Sequence, residues 1–212
     1  MAKMILFDLD GTLTDSGEGI IKSATMALER LGVPVPSPEE MRSFVGPPLG
    51  DSFLKHGVPA EQVVEAIEIF RSRYQPIGKY ENRPYPGIRE LLEALEAQGH
   101  TLYVATSKPE ETAVEVLEHF DLAHFFRRIC GATLDQSRVS KSDVIAFLLE
   151  NNGTQADAVM VGDTAFDVLG AAAHGIPTIG VSWGYGDVAE MKKTGAAAIA
   201  DTPEMLLSLL NR

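Results

Sequence analysis

Asp8 and Asp10 stand two residues apart, directly after the apolar run Met4-Ile5-Leu6-Phe7 and directly before Gly11-Thr12. Four apolar residues bounded by a turn signal read as a short buried strand. Side chains two apart on a strand project to the same side, so the two carboxylates point together while Leu9 returns to the core. Adjacent carboxylates repel each other unless a cation lies beside them. Mg²⁺ suits that demand, being a hard ion that takes oxygen ligands from one or two carboxylates and a phosphate. The chemistry open to the pair is covalent and acid–base. An ionised carboxylate is a nucleophile, and a neighbouring carboxyl can hold and release a proton.

Three later stretches place polar groups at similar points. Thr106-Ser107-Lys108-Pro109 follows the strand pattern of residues 101–105, and a hydroxyl just before a helix start offers an O–H and free backbone N–H groups to an anion. Lys141 opens a helix, the end where the helix dipole disfavours a cation, which hints at an anionic partner. Arg138 is its nearby rival. Gly162-Asp163-Thr164-Ala165-Phe166-Asp167 closes the apolar run 158–161, and Asp163 and Asp167, four residues apart, can face one side. Singly, each has a plain structural explanation as a turn, a helix cap, a surface lysine or acids at a helix N-terminus.

Together and in this order the four stretches resemble the motifs of the haloacid dehalogenase superfamily, whose phosphatase members carry Asp-x-Asp-Gly-Thr, here Asp8-Leu9-Asp10-Gly11-Thr12. The resemblance implies that Asp8 attacks phosphorus to form an aspartyl-phosphate. Asp10 then protonates the leaving oxygen and later activates water. It also implies that Thr106, Ser107, Gly11 and Lys141 hold the phosphoryl group, with Lys141 neutralising the nucleophile. Mg²⁺ would be ligated by Asp8, Asp163 and the backbone carbonyl of Asp10, with Asp167 orienting Lys141 or a metal-bound water. Two positions depart from the common pattern: Ser107 stands where many relatives have Asn, and Ser142 follows Lys141 where many have Pro.

The elements that must position these groups follow from periodicity. From residue 83 onward, strand patterns alternate with helices of about 10–12 residues, which implies right-handed crossovers and a parallel sheet covered on both faces. Ligands in such sheets bind beyond the carboxyl ends of the strands. Residues 15–82 contain only helical patterns. The first starts near Asp15, a candidate cap with Glu18 three residues on, and Ser37-Pro38-Glu39-Glu40 makes a second capping box. The expected architecture is a Rossmann-like three-layer α/β/α core, residues 1–14 and 83–212, with an α-helical cap at 15–82. By resemblance this is the C1 cap of the phosphoglycolate phosphatase and β-phosphoglucomutase group. The rigid turn at Gly46 and Pro47 could lower backbone into the site. Arg42, with Lys55, Arg71, Arg73 and Lys79, is a candidate substrate contact, although surface Lys and Arg are ordinarily just solvated. Trp183 and Tyr185 could stack on a base or pack on the cap.

Composition bounds the rest. The chain has 212 residues, 45% hydrophobic and 23% charged, with a formal net charge of −12. That balance argues against a nucleic-acid polymer or an anionic membrane as partner. An anionic small molecule must therefore find a local positive pocket. The single Cys130 excludes an internal disulfide and a multi-cysteine zinc site, and reads as a core residue. No apolar run approaches a membrane span, and a strand pattern beginning at Met4 leaves no room for a signal peptide, so a cytoplasmic location is the expectation. The expected activity is Mg²⁺-dependent hydrolysis of a small phosphorylated metabolite, a nucleoside 5′-monophosphate or phosphoglycolate, by a monomer or homodimer. A sugar-phosphate mutase, or a receiver-like module phosphorylated on Asp8, is the alternative.

Overall fold

The computed structural model describes residues 2–135, 137–152 and 157–211. Six parallel strands, β1 (Met4–Phe7), β2 (Thr101–Pro109), β3 (Phe126–Ala132), β4 (Ala158–Gly162), β5 (Thr178–Val181) and β6 (Ala198–Ala200), form one sheet in the order β3-β2-β1-β4-β5-β6. The order reverses between β1 and β4, which is where a doubly wound sheet opens a crevice at its carboxyl edge. Asp8 and Asp163 each follow directly from one of these two strands.

The alternation of β1 fixes the layers. Ile5 and Phe7 face an apolar cluster built with α5 (Ile88–Ala97), α6 (Glu110–His119) and α10 (Pro203–Leu210), whereas Met4 and Leu6 face a second one built with α7 (Lys141–Asn152) and α8 (Ala165–Ala172). Cys130 is buried in the second cluster, where burial pushes its thiol up to about 11. Both faces of the central strands are thus covered, which is why these strands are continuously apolar rather than alternating.

Between β1 and α5 the chain forms α1 (Gly17–Arg30), α2 (Pro38–Met41), α3 (Leu49–Lys55) and α4 (Val63–Tyr74), joined by short 3-10 turns. These helices close around their own cluster, with Leu28, Phe44, Phe53 and Phe70 at its centre. The two connections to the sheet lie side by side: Asp15 N–H donates to Arg83 C=O (2.7 Å), Tyr85 N–H to Leu13 C=O (3.0 Å), and Thr14 bridges Pro84. The Ser37 capping box forms as expected, with the Ser37 Oγ accepting from Glu40 N–H and the Glu40 carboxylate accepting from Ser37 N–H. The first helix differs. Ser16, not Asp15, occupies its N-cap position, because the Asp15 carboxylate is engaged by Arg83 (2.9 Å) and the Tyr185 hydroxyl.

A second difference concerns the end of β2. The strand runs past Thr106 to Pro109, with a register shift against β3 between Ala105 and Pro109, and α6 begins only at Glu110 with Pro109 as its cap. A bulge of this kind re-aims side chains at a strand end. Gly131 of β3 makes it feasible: a Cβ there would stand 2.4 Å from the Lys108 carbonyl oxygen and 2.7 Å from Glu110 backbone atoms. Backbone atoms cannot rotate aside, so Gly131→Ala should lower the stability by about 1–3 kcal/mol, as overpacking does. Urea denaturation followed by circular dichroism checks this; an unchanged midpoint would show that the bulge relaxes freely.

Candidate active site

Side chains from four loops meet at the carboxyl edge of β1, β2 and β4. Asp8 is 3% exposed and its Oδ1 accepts from Leu9 N–H (2.7 Å). Gly11 then turns the chain with φ +86°, and any Cβ there would lie 2.3 Å from an Asp163 oxygen, so the loop after β1 sits flush against the loop after β4. Asp163 is held in turn by Thr12 Oγ1 (3.2 Å) and Tyr185 N–H (2.8 Å). Asp167 caps α8 locally, its Oδ2 accepting from both the N–H (3.0 Å) and the hydroxyl (2.9 Å) of Thr164. That leaves Oδ1 free to face Lys141.

Lys141, at the first residue of α7, reaches under the loops to Asp8 Oδ1 (2.8 Å), Asp167 Oδ1 (2.8 Å) and the Ala105 carbonyl (3.0 Å). The ammonium donates a hydrogen bond to the Ala105 carbonyl and forms ion pairs with the two carboxylates. Burial alone would lower its pKa, but Asp167 and Asp8 outweigh burial and raise it. Arg138, the rival on sequence grounds, is turned away to the Gly131 carbonyl (2.6 Å) and Glu110 (2.5 Å).

The carboxylates outnumber that lysine. Oxygens of Asp8, Asp163 and Asp167 lie within 4.8 Å of one another. Burial, followed by repulsion from Asp167 and Asp8, raises the Asp163 pKa; Asp8 is raised too, by burial first, against the pull of Lys141. Three buried carboxylates with one shared ammonium are the donor set of a hard cation, so the residues fit a divalent metal. The Asp10 side chain stands outside this group.

Asp10 instead pairs with a residue to which the sequence reading gave no role. Lys108 Nζ contacts both Asp10 oxygens (2.9 and 2.7 Å) and the Tyr74 hydroxyl of α4 (2.7 Å). Lys108 is 7% exposed, and although burial alone would lower its pKa, Asp10 and Tyr74 outweigh burial and raise it. Its backbone N–H donates to Thr106 Oγ1 (3.2 Å), so the bulge ties the two residues together. The available signal was the spacing Thr106-x-Lys108, which sets both on one side of an extended segment.

A cleft opens between Asp10 and the helical insert. Ser107, Lys108 and Pro109 line its core side; Phe44, Phe70, Tyr74, Gly46 and Pro47 line the insert side, with Arg71 and Gln75 among them. Gly46 has φ +107° and a Cβ on it would stand 3.0 Å from Thr164, so this turn does come down beside the carboxylates. Arg42 is not part of the cleft. It lies 4.7 Å over the Tyr185 ring, in a separate hollow beside the two connections at Asp15 and Arg83. Arg73 pairs with Glu81 and Lys79 with Glu115, which leaves Arg71 as the cleft's guanidinium. Trp183 donates to the Thr12 carbonyl (3.1 Å) and packs edge-on to Tyr85. Among the described residues no helix is long and apolar enough to cross a membrane.

The chain is similar to several known proteins. The family model of haloacid dehalogenase-like hydrolases matches residues 5–181. A 5′-nucleotidase of Pseudomonas aeruginosa is 45% identical over 190 residues, 89% of this chain and 86% of that protein. The tyrosine-protein kinase PtkA of Mycobacterium tuberculosis is 43% identical over 198 residues, 93% of this chain and 68% of that protein. The crystal structure of a predicted phosphatase from Clostridium acetobutylicum superposes with a TM-score of 0.95 at 39% identity, covering 100% of this chain and 99% of the other.

The carboxylate cluster makes its own test. A divalent cation at about 100-fold its dissociation constant should stabilise the fold by ~2.7 kcal/mol. In Asp163→Asn the repulsion is relieved, so the variant should melt above wild type in EDTA and gain less from the cation. Calorimetric melts with and without the cation read both effects; equal gains in the two proteins would contradict the assignment.

Proposed function

The chain belongs to the haloacid dehalogenase-like hydrolase family and is a hydrolase of phosphate monoesters, and on that premise we propose that it is a Mg²⁺-dependent phosphatase acting on nucleoside 5′-monophosphates through an aspartyl-phosphate on Asp8. The observation that carries the mechanism is the division of the two N-terminal carboxylates between two lysines, Asp8 with Lys141 and Asp10 with Lys108. One carboxylate lies among the metal-type donors. The other lines the cleft.

In the first step a carboxylate oxygen of Asp8 forms a bond to phosphorus as the ester P–O bond breaks, and the leaving oxygen takes a proton from Asp10. In the second, water attacks the same phosphorus, Asp10 takes its proton, and the bond to Asp8 breaks to release phosphate. Asp10 thereby regains the proton it gave. Lys141 is placed to neutralise Asp8 and the incoming phosphoryl oxygens, while Thr106, Ser107 and the backbone at Gly11 orient them. Asp8, Asp163 and the Asp10 carbonyl are the residues to hold Mg²⁺, whose contribution when bound is to neutralise phosphoryl charge. Asp167, fixed by its Thr164 cap, keeps Lys141 aimed.

The substrate class rests on the cleft and on the Pseudomonas 5′-nucleotidase. A leaving group that enters past Asp10 meets Phe44, Phe70 and Tyr74, with Arg71 and Gln75 as polar groups. Aromatic walls with a few polar contacts suit a nucleoside better than the small charged glycolate. Phosphate release from a panel of nucleoside 5′-monophosphates, phosphoglycolate and sugar phosphates, with and without Mg²⁺, tests this. Expected are metal-dependent release led by a nucleotide, none above background in Asp8→Asn, and a loss of about 10²–10⁴-fold in Asp10→Asn. Phosphoglycolate as the best member would overturn the substrate class, and full activity of Asp8→Asn the mechanism.

A further inference from the structure

Tyr74 is the last residue of α4, so it belongs to the insert, yet its hydroxyl lies 2.7 Å from a lysine of the core sheet. That lysine, Lys108, is bonded in turn to both oxygens of Asp10. The three groups form a buried chain that starts on the insert and ends on the acid–base residue of the proposed reaction. We propose that Tyr74, acting through Lys108, positions the Asp10 carboxyl for proton transfer, and that this position is set only when α4 is seated on the core.

Three further observations carry it. First, the Lys108 ammonium has three protons and three oxygens around it, one of them supplied by the insert; without Tyr74 a third of its bonding is missing and the pair with Asp10 is no longer fixed in direction. Second, Tyr74 is itself held, buried and stacked on Phe70 at 5.0 Å between ring centroids. Third, the end of α4 and the turn after it are clasped to α6 by Gln75 with Thr112 (2.9 Å) and Lys79 with Glu115 (2.5 Å). Seating of the insert and delivery of the Tyr74 hydroxyl are therefore one event. Lys141, by contrast, takes its three oxygens from β2, α8 and the loop after β1, all in the α/β core, so the nucleophile is set whether or not the insert is seated. Tyr74 and Lys108 are positioning residues, since they act on the ester through Asp10.

The inference rests on the reading of Asp10 as acid and base, and its test separates the two. Phenyl phosphate and p-nitrophenyl phosphate share an aryl phosphate core but differ in how much the leaving oxygen needs a proton. Tyr74→Phe keeps the ring and the stacking and removes only the hydroxyl. It should lower kcat/KM for phenyl phosphate by about tenfold, a part of what general acid catalysis supplies. The loss for p-nitrophenyl phosphate should be under about threefold and the inhibition constant of inorganic phosphate should hold, while the melting temperature falls only by what one lost buried hydrogen bond costs. In a Lys108→Met background the same substitution should have no further effect, because the chain is already cut. Equal losses on the two esters, or none, would overturn the proposal, as would a full additional loss in the Lys108→Met background. If Asp8→Asn is inactive while Tyr74→Phe behaves as wild type, the phosphatase reading stands and only this inference falls. If Asp10→Asn retains full activity on phenyl phosphate, the acid–base reading falls and takes the inference with it.

Discussion

Four buried carboxylates, Asp8, Asp10, Asp163 and Asp167, are gathered at one edge of the sheet with two buried lysines among them. Removing that many like charges from water costs several kcal/mol per ion, and most of the local architecture answers it. Lys141 lies between Asp8 and Asp167, Lys108 covers Asp10, and backbone N–H and hydroxyl groups from Leu9, Thr12, Thr164 and Tyr185 donate to Asp8, Asp163 and Asp167. Four carboxylates face two ammonium groups, so the lysines alone do not balance the site when every carboxyl is ionised. A site with this surplus is poised for a cation and, through it, for an anion that would otherwise be repelled by a chain of net charge −12.

The sheet order makes the gathering feasible. Loops after β1 and β4 are neighbours only because these strands pair at the point where the order reverses, and α7 and β2 bring in Lys141 and Thr106 from either side. Each group is then fixed by something local to its own loop: the turn at Gly11, the bulge before Pro109, the Thr164 cap of α8. Geometry of this kind is set by rigid elements and short loops, so it survives without the substrate and costs no rearrangement when charge develops.

Much of this was legible in the sequence because it depends on spacing along one strand or one helix turn. The run Met4–Phe7, the pair Asp8 and Asp10, and the four-residue step from Asp163 to Asp167 are local patterns, and the helices and strands follow from periodicity. What the sequence did not disclose depends on contacts across long separations. Lys108 lay within a quoted motif but its partners, Asp10 and Tyr74, are 98 and 34 residues away. Asp15 has the composition of a helix cap, yet Arg83 and Tyr185, 68 and 170 residues distant, claim its oxygens. The continuation of β2 past Thr106 likewise reflects a bulge against β3 and the space left by Gly131, neither of which a single strand records. Arg42 and Arg71 were equivalent as surface-type cations, and only the packing of the insert put one in the cleft and the other on Tyr185.

The two lysines also divide the site by origin. The polar partners of Asp8 come from the α/β core, from the loop after β1 and the first turns of α7 and α8, whereas those of Asp10 are completed by the insert. In the proposed mechanism the first carboxylate forms the phosphorus bond, which is common to every monoester, and the second handles the leaving group, which differs between substrates. The part of the chemistry common to all monoesters is thus built on the α/β core. The part that must match the substrate shares its wall, its aromatic rings and its bonding with the helices that contact it. A change of leaving-group preference can therefore arise within the insert while the phosphoryl-transfer centre keeps its geometry, provided the new insert still presents a group to hold Lys108 on Asp10.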